Sequence, residues 1–121
     1  MNLQTLVDRI KAHPDYPKAG MILAHNGVVR ENSREGDPVT GLSLTVDHKR
    51  LEEILTQQKA RPGIIEILVH IEEDKPLDVG DDVMYLVVAG DIRENVLECL
   101  TDTLNLIKAE VTQKTQFYKD K

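Results

Sequence analysis

The chain has 121 residues, with 15 Lys and Arg against 21 Asp and Glu, and a formal net charge of −6. It is 40% hydrophobic and 30% charged, which excludes a disordered tail and fits one domain, 1–121, that buries a core without disulfides. The acidic balance argues against bulk binding to nucleic acid or to an anionic membrane, so an anionic ligand would need a local basic cluster. Aromatic residues make up only 3% and Trp is absent, so the core must be aliphatic. The single cysteine, Cys99, excludes a disulfide framework and a Cys-rich metal site. Residues 1–13 lack the apolar run of a signal peptide, and no stretch approaches the ~18 apolar residues of a membrane span. A cytoplasmic location is the expectation.

Leu3, Leu6, Val7 and Ile10 recur at helical spacing, so 2–12 read as a helix that ends at His13-Pro14, and 1–18 form an N-terminal helix and loop. Met21 to Val29 reads as a strand interrupted at His25-Asn26-Gly27, where the glycine marks a bulge or a close backbone approach. Asn32 to Pro38 reads as an exposed loop. Leu42, Leu44 and Val46 alternate with small polar residues, a half-buried strand. A helix follows from Asp47, a plausible N-cap, to Arg61-Pro62-Gly63.

Ile64 to Ile71 is a β-branched run and is expected to be a central strand. Glu72 to Asp82 is an acidic loop with a short edge strand at Leu77-Val79, and Val83 to Ala89 is a second β-prone run. Asp91, three residues before Glu94, suggests a capping box for a long helix carrying Ile92, Val96, Leu97, Leu100, Leu104, Ile107 and Val111. Residues 113–121 read as a loose polar tail. The order of elements predicts an α+β domain, a mixed or antiparallel sheet covered by helices with a long C-terminal helix.

Common chemical motifs are missing: there is no phosphate loop or dinucleotide fingerprint, and Gly41-Leu42-Ser43-Leu44-Thr45 lacks the closing glycine of a nucleophile elbow. The four histidines have no metal-ligand spacing, so no metal site is expected. His70 reads as a packing residue at the end of a buried strand. His25 reads as a satisfied strand histidine in preference to a site residue. Glu72-Glu73-Asp74 reads as a solvated loop, and Cys99 as buried filler. What remains is basic: Arg30 at the end of the first strand, Arg34 in the loop after it, Arg93 opening the last helix, Lys108 at the edge of that helix's apolar face, and Lys114 beyond it. Composition favours solvated side chains here; function requires that they converge on one anion.

Several segments, in order, resemble the large (catalytic) subunit of molybdopterin synthase. Ala19-Gly20-Met21-Ile22-Leu23 with Asn26-Gly27-Val28-Val29-Arg30 is similar to that family's "A-G-A … G-x-V-R" strand. The loop Glu31 to Val39 and the strand Gly41-Leu42-Ser43-Leu44 continue it. Ile64 to His70 is similar to its "V-x-I-x-H" strand, and Leu77-Asp78-Val79-Gly80-Asp81 to its "L-x-V-G-E/D" turn. Val87-Val88-Ala89-Gly90, Arg93 and the helix to Lys108 are similar to its closing elements. The likeness spans about residues 19–111.

The resemblance implies an α/β-hammerhead-like α+β domain that forms a homodimer. It implies a ubiquitin-like small subunit as partner, whose C-terminal Gly-Gly carries a thiocarboxylate. Sulfur passes from that terminus to cyclic pyranopterin monophosphate, a pterin precursor that is substrate, with no permanently bound cofactor. By position it implies Lys108 as the catalytic residue and Arg30 and Arg93, with Arg34 and Lys114 nearby, as holders of anionic groups. This sequence departs from the pattern in five ways. Ile92 replaces a histidine, Thr115 stands at a second lysine position with Lys114 beside it, His25 replaces a phenylalanine, Ile71 replaces an arginine, and the helix after the second strand is about a turn shorter. Those losses open the alternative of a non-catalytic relative that binds or regulates on the same scaffold. Lys114 or Lys119 could instead complete the pocket, from the tail of this chain or from the other subunit of a dimer.

Overall fold

A computed structural model describes residues 1–119. Helix α1 (Leu3–Lys11) is followed by a short 3-10 turn, strand β1 (Met21–Val28), strand β2 (Val39–Val46) and helix α2 (His48–Lys59). Then come β3 (Ile64–Ile71), β4 (Leu77–Asp78), β5 (Asp82–Gly90), α3 (Arg93–Glu110) and β6 (Thr112–Tyr118). The strands form two three-stranded antiparallel sheets, ordered β1-β5-β3 and β4-β2-β6. The expected α+β class holds, and its antiparallel alternative is the one adopted.

The first sheet is built on β5, in which every residue from Met84 to Gly90 is buried. One face of β5 carries Met84, Leu86 and Val88, covered by Val96, Cys99 and Ile107 of α3 and Ile54 of α2. The other carries Tyr85, Val87 and Ala89, covered by Leu6 and Ile10 of α1. The buried positions of α3, at 96, 99, 103 and 107, are the stripe that a 3.6-residue repeat places on one side of a helix.

Four expectations change. Ile64–Ile71 is an edge strand, because β5 takes the centre and pairs on both sides. The segment read as a polar tail is strand β6, which pairs with β2 from Val46↔Thr112 to Val39↔Tyr118; residues 120–121 of that expected tail lie outside the described residues. Backbone hydrogen bonds to β2, with no apolar pattern of its own, make β6 a strand, so hydropathy did not reveal it. The capping box does not form: α3 starts from Ile92 as N-cap, and the Asp91 carboxylate instead accepts hydrogen bonds from Ile92 N (2.6 Å) and Asn95 Nδ2 (2.9 Å). His70 is half-exposed, stacked on Tyr85 with ring centroids 6.1 Å apart and 3.0 Å from Glu72.

The bulge expected near Gly27 is present, as a register shift between Gly27 and Val28. The acidic turn after β3 is tied to basic side chains of the protein itself. Glu73 lies 2.8 Å from His48, and Glu72 lies 2.8 Å from Lys75 as well as beside His70. The Lys75 and His70 hydrogen bonds hold Glu72 down at about 2 against an ordinary 4.5.

Two outcomes follow. Because a carboxylate with a depressed pKa stabilises the fold above its unfolded value, Glu72→Gln should cost at most ~1 kcal/mol at pH 7. It should also flatten the loss of stability as pH falls from 4.5 toward about 2, followed by urea denaturation across that range. Gly41 sits between Asp78 and Phe117 in the second sheet, and a Cβ there would run into the Leu77 carbonyl oxygen. Gly41→Ala should therefore cost roughly 1–3 kcal/mol by the same measurement, since backbone cannot yield as a flexible side chain does.

Candidate functional site

Arg30 is placed by the turn between β4 and β5. Gly80 adopts φ +92, which favours glycine, and Asp81 closes the turn by accepting from Asp78 N at 2.8 Å. The turn then grips the end of β1: Gly80 N donates to Val29 O and Val29 N to Asp81 O, both at 2.9 Å. Val29 is buried in the main core, and Arg30 leaves it exposed to solvent. The "L-x-V-G-D" segment thus has a physical task, to fix the chain that delivers Arg30. Arg34 is exposed in a self-closed loop, in which buried Ser33 accepts from Asp37 N through Oγ at 3.1 Å and donates its N–H to Asp37 O at 2.9 Å.

Helix α3 leaves β5 at Gly90, the residue that pairs with Met21 at the start of β1, and packs back over the sheet. Its first residue, Arg93, therefore lies at the Met21 end of β1, and its last turn lies toward the end that leads to Arg30. Lys108 is in that last turn, exposed, close enough to His25 for its ammonium to act on the imidazole. Arg93 and Lys108 are fifteen residues apart on one straight helix, roughly 22 Å. One copy of the chain does not bring them together.

Lys114 pairs with Leu44, and directly paired residues share a face. Lys114 therefore lies on the side of the second sheet whose Leu42 and Leu44 enter the main core, while Thr115, paired with Ser43, lies on the outer side. Arg30, Arg34, Lys108 and Lys114 have no ion-pair partner among the described residues, and Arg93 only touches exposed Glu94 at 3.7 Å. A shallow depression at the turn from α3 into β6, lined by Thr45, Asp47, Glu110 and Gln113 among others, contains no basic side chain. Among the described residues no group of His, Cys, Asp or Glu is arranged to hold a metal ion.

His25, which sequence reasoning set aside as a satisfied strand histidine, lies within reach of the Lys108 charge and has no hydrogen-bond partner among the described residues. It stands on the core-facing side of β1 with Leu23 before it and Leu86 opposite, half-buried. Burial first, and the Lys108 ammonium second, push its pKa below the ordinary 6.5. Nothing in the sequence links residues 25 and 108; the only signal was a polar residue on the apolar side of a strand.

A family model described as "MoaE protein" matches residues 1–110. The chain belongs to the MoaE family, that of molybdopterin synthase large subunits. A "Probable molybdopterin synthase" of Haloferax volcanii is 30% identical over 129 aligned positions, covering 98% of this chain. This MoaE-family chain spans about half, 49%, of that relative's length. Solved structures share the fold. A Burkholderia multivorans molybdopterin cofactor biosynthesis protein E superposes with a TM-score of 0.76 at 22% identity, over 98% of this chain and 82% of its own. The Staphylococcus aureus molybdopterin synthase gives 0.71 at 21%, over 86% and 78%. A complex of subunits 1 and 2 of the Helicobacter pylori molybdopterin-converting factor gives 0.72 at 17%, over 100% and 86%.

Because His25 is held neutral in the fold, the unfolded chain takes up a proton there first as pH falls. Stability is fully present above 6.5 and declines as pH drops through the lowered folded value. Replacing His25 by Gln should remove that share of the acid loss, read as the midpoint of thermal unfolding between pH 7.5 and 5.

Proposed function

We propose that this chain is the catalytic subunit of a molybdopterin synthase, transferring sulfur from the thiocarboxylated Gly-Gly terminus of a ubiquitin-like small partner to cyclic pyranopterin monophosphate. The observation that carries this reading is Lys108. It is exposed and unpartnered among the described residues, on the last turn of α3 beside β1, the strand that delivers Arg30. Once the sulfur has bonded to the pterin, water adds to the acyl carbon and the C–S bond breaks, leaving a carboxylate on the partner; an ammonium in that place stabilises the oxyanion formed by the addition, or moves a proton to the departing sulfur. Arg30 and Arg34 offer planar forks for the phosphate of the substrate, and Lys114 adds a point charge. The sulfur arrives on the partner, so buried Cys99 has no part in the chemistry; burial raises its pKa. The MoaE family match and the Haloferax volcanii relative support the same activity.

In this reading the protein is a cytoplasmic homodimer. Arg93, roughly 22 Å along α3 from Lys108, serves the Lys108 site of the other copy. A second reading, a relative that binds the partner without turnover, draws on Ile92, which is half-exposed with no polar group to offer, and on Thr115 facing away from Lys114.

Reconstitution with a thiocarboxylated partner and the pterin precursor decides between them: molybdopterin forms, or the partner is captured without product. Lys108→Ala should lower the rate at least about 100-fold. Mixing Lys108→Ala chains with Arg93→Ala chains should restore about a quarter of wild-type activity, because each mixed dimer then holds one intact site. No recovery would place Arg93 outside the site.

A further inference from the structure

Three of the four histidines are tied to neighbours. His13 accepts from Asp15 N at 3.0 Å and faces Glu66 at 3.8 Å, His48 lies 2.8 Å from Glu73, and His70 lies 3.0 Å from Glu72. His25 is half-buried, yet neither ring nitrogen has a hydrogen-bond or ion-pair partner among the described residues. The ring is partly covered by the core-facing side of β1, but its nitrogens stay open to solvent, so they are free to meet a ligand. Its Nε2 sits over Gly27, where an added Cβ would approach to 3.4 Å, and Met84 Cγ closes the same space at 3.4 Å. From β5 it faces Leu86 and Met84, and from α3 the charged group acting on it is Lys108; no carboxylate among the described residues contributes.

We infer that His25 is a ligand-contacting residue of the Lys108 site, the two side chains forming a two-point receptor for a terminal oxyanion between β1 and the last turn of α3. Lys108 supplies the charge. The imidazole supplies one N–H, directed by its packing against Gly27 and Met84, and keeps an acceptor nitrogen for a protonated ligand atom. Burial and the ammonium keep the ring uncharged at neutral pH. A bound anion favours the charged ring, so by linkage ligand and proton promote each other's binding at His25. The shared chemistry is an oxyanion, either a phosphate or the carboxylate of a chain terminus. The assignment rests on Lys108 marking the site.

The test is an NMR pH titration of the histidine rings of the whole chain, alone, with inorganic phosphate, and with N-acetyl-Gly-Gly. The midpoint of His25 should rise with one of the two anions, and the one that moves it identifies the group bound. At fixed pH the ring signals of His13, His48 and His70, whose nitrogens already have partners, should not respond to either anion. His25→Phe should weaken binding of that anion about tenfold, the worth of a hydrogen bond to a charged group. His25→Gln, which keeps a donor, should retain most of the binding without its pH dependence. Lys108→Met should weaken binding to a similar extent and raise the His25 midpoint without any anion. A His25 midpoint unmoved by both anions, or His25→Phe and His25→Gln binding as the parent with the same pH dependence, would overturn the inference. The measurement needs neither partner nor turnover, so failed sulfur transfer leaves it standing, and successful transfer with an unresponsive His25 removes it alone.

Discussion

The fold depends on the burial of β5 on both faces. A strand with Met84 to Gly90 out of water must be paired on each edge and covered on each side. β1 and β3 do the first, and α3 with α2 and α1 the second. Because α3 follows β5 directly and must lie back over it, the helix runs along β1 in a direction the chain cannot reverse. That direction puts Lys108 beside His25 and Arg93 at the opposite end. The placement of these charged groups is therefore a consequence of covering one strand.

A net charge of −6 is compatible with unpaired cations, because several acidic groups pair with other basic side chains. Glu98 and Asp102 pair with Arg61, Glu53 and Glu110 with Arg50, Glu66 with Lys59, and Glu72 with Lys75. These pairs join α2 to α3, α2 to β3, and close the turn after β3. Arg30, Arg34, Lys108 and Lys114 are left without such partners among the described residues. Whole-chain charge governs long-range encounter with polyanions, whereas a site is decided within a Debye length, ~10 Å at 0.1 M salt, by which cations stay unneutralised.

Elements with a local cause were legible. The apolar spacing of α1 and α3, Asp47 as the cap of α2 with its carboxylate accepting from Arg50 N, and the β-branched runs of β3 and β5 all stand where the residues place them. Strand β6 was not legible, because TQKTQFY carries no alternation of its own and becomes a strand through hydrogen bonds to β2, a partner 72 positions away at Ser43↔Thr115, which is a non-local cause. His70 packs at the end of its strand by stacking on Tyr85, as the residues suggest, but β3 is an edge strand, which leaves His70 partly open to solvent and to Glu72.

The sequence by itself determined which residues are available to this protein: an aliphatic core, one inert cysteine, a family pattern from Ala19 to Val111, and a short set of arginines and lysines. Tertiary structure alone decided which of them meet. Lys108 comes within electrostatic reach of His25, Lys108 and Arg93 are parted, and Lys114 and Thr115, neighbours in the chain, face opposite sides of one sheet. The reason is range: helix and strand periodicity act over a few residues, whereas Lys108 approaches His25 where α3 crosses β1, and that crossing is set by the need to bury β5.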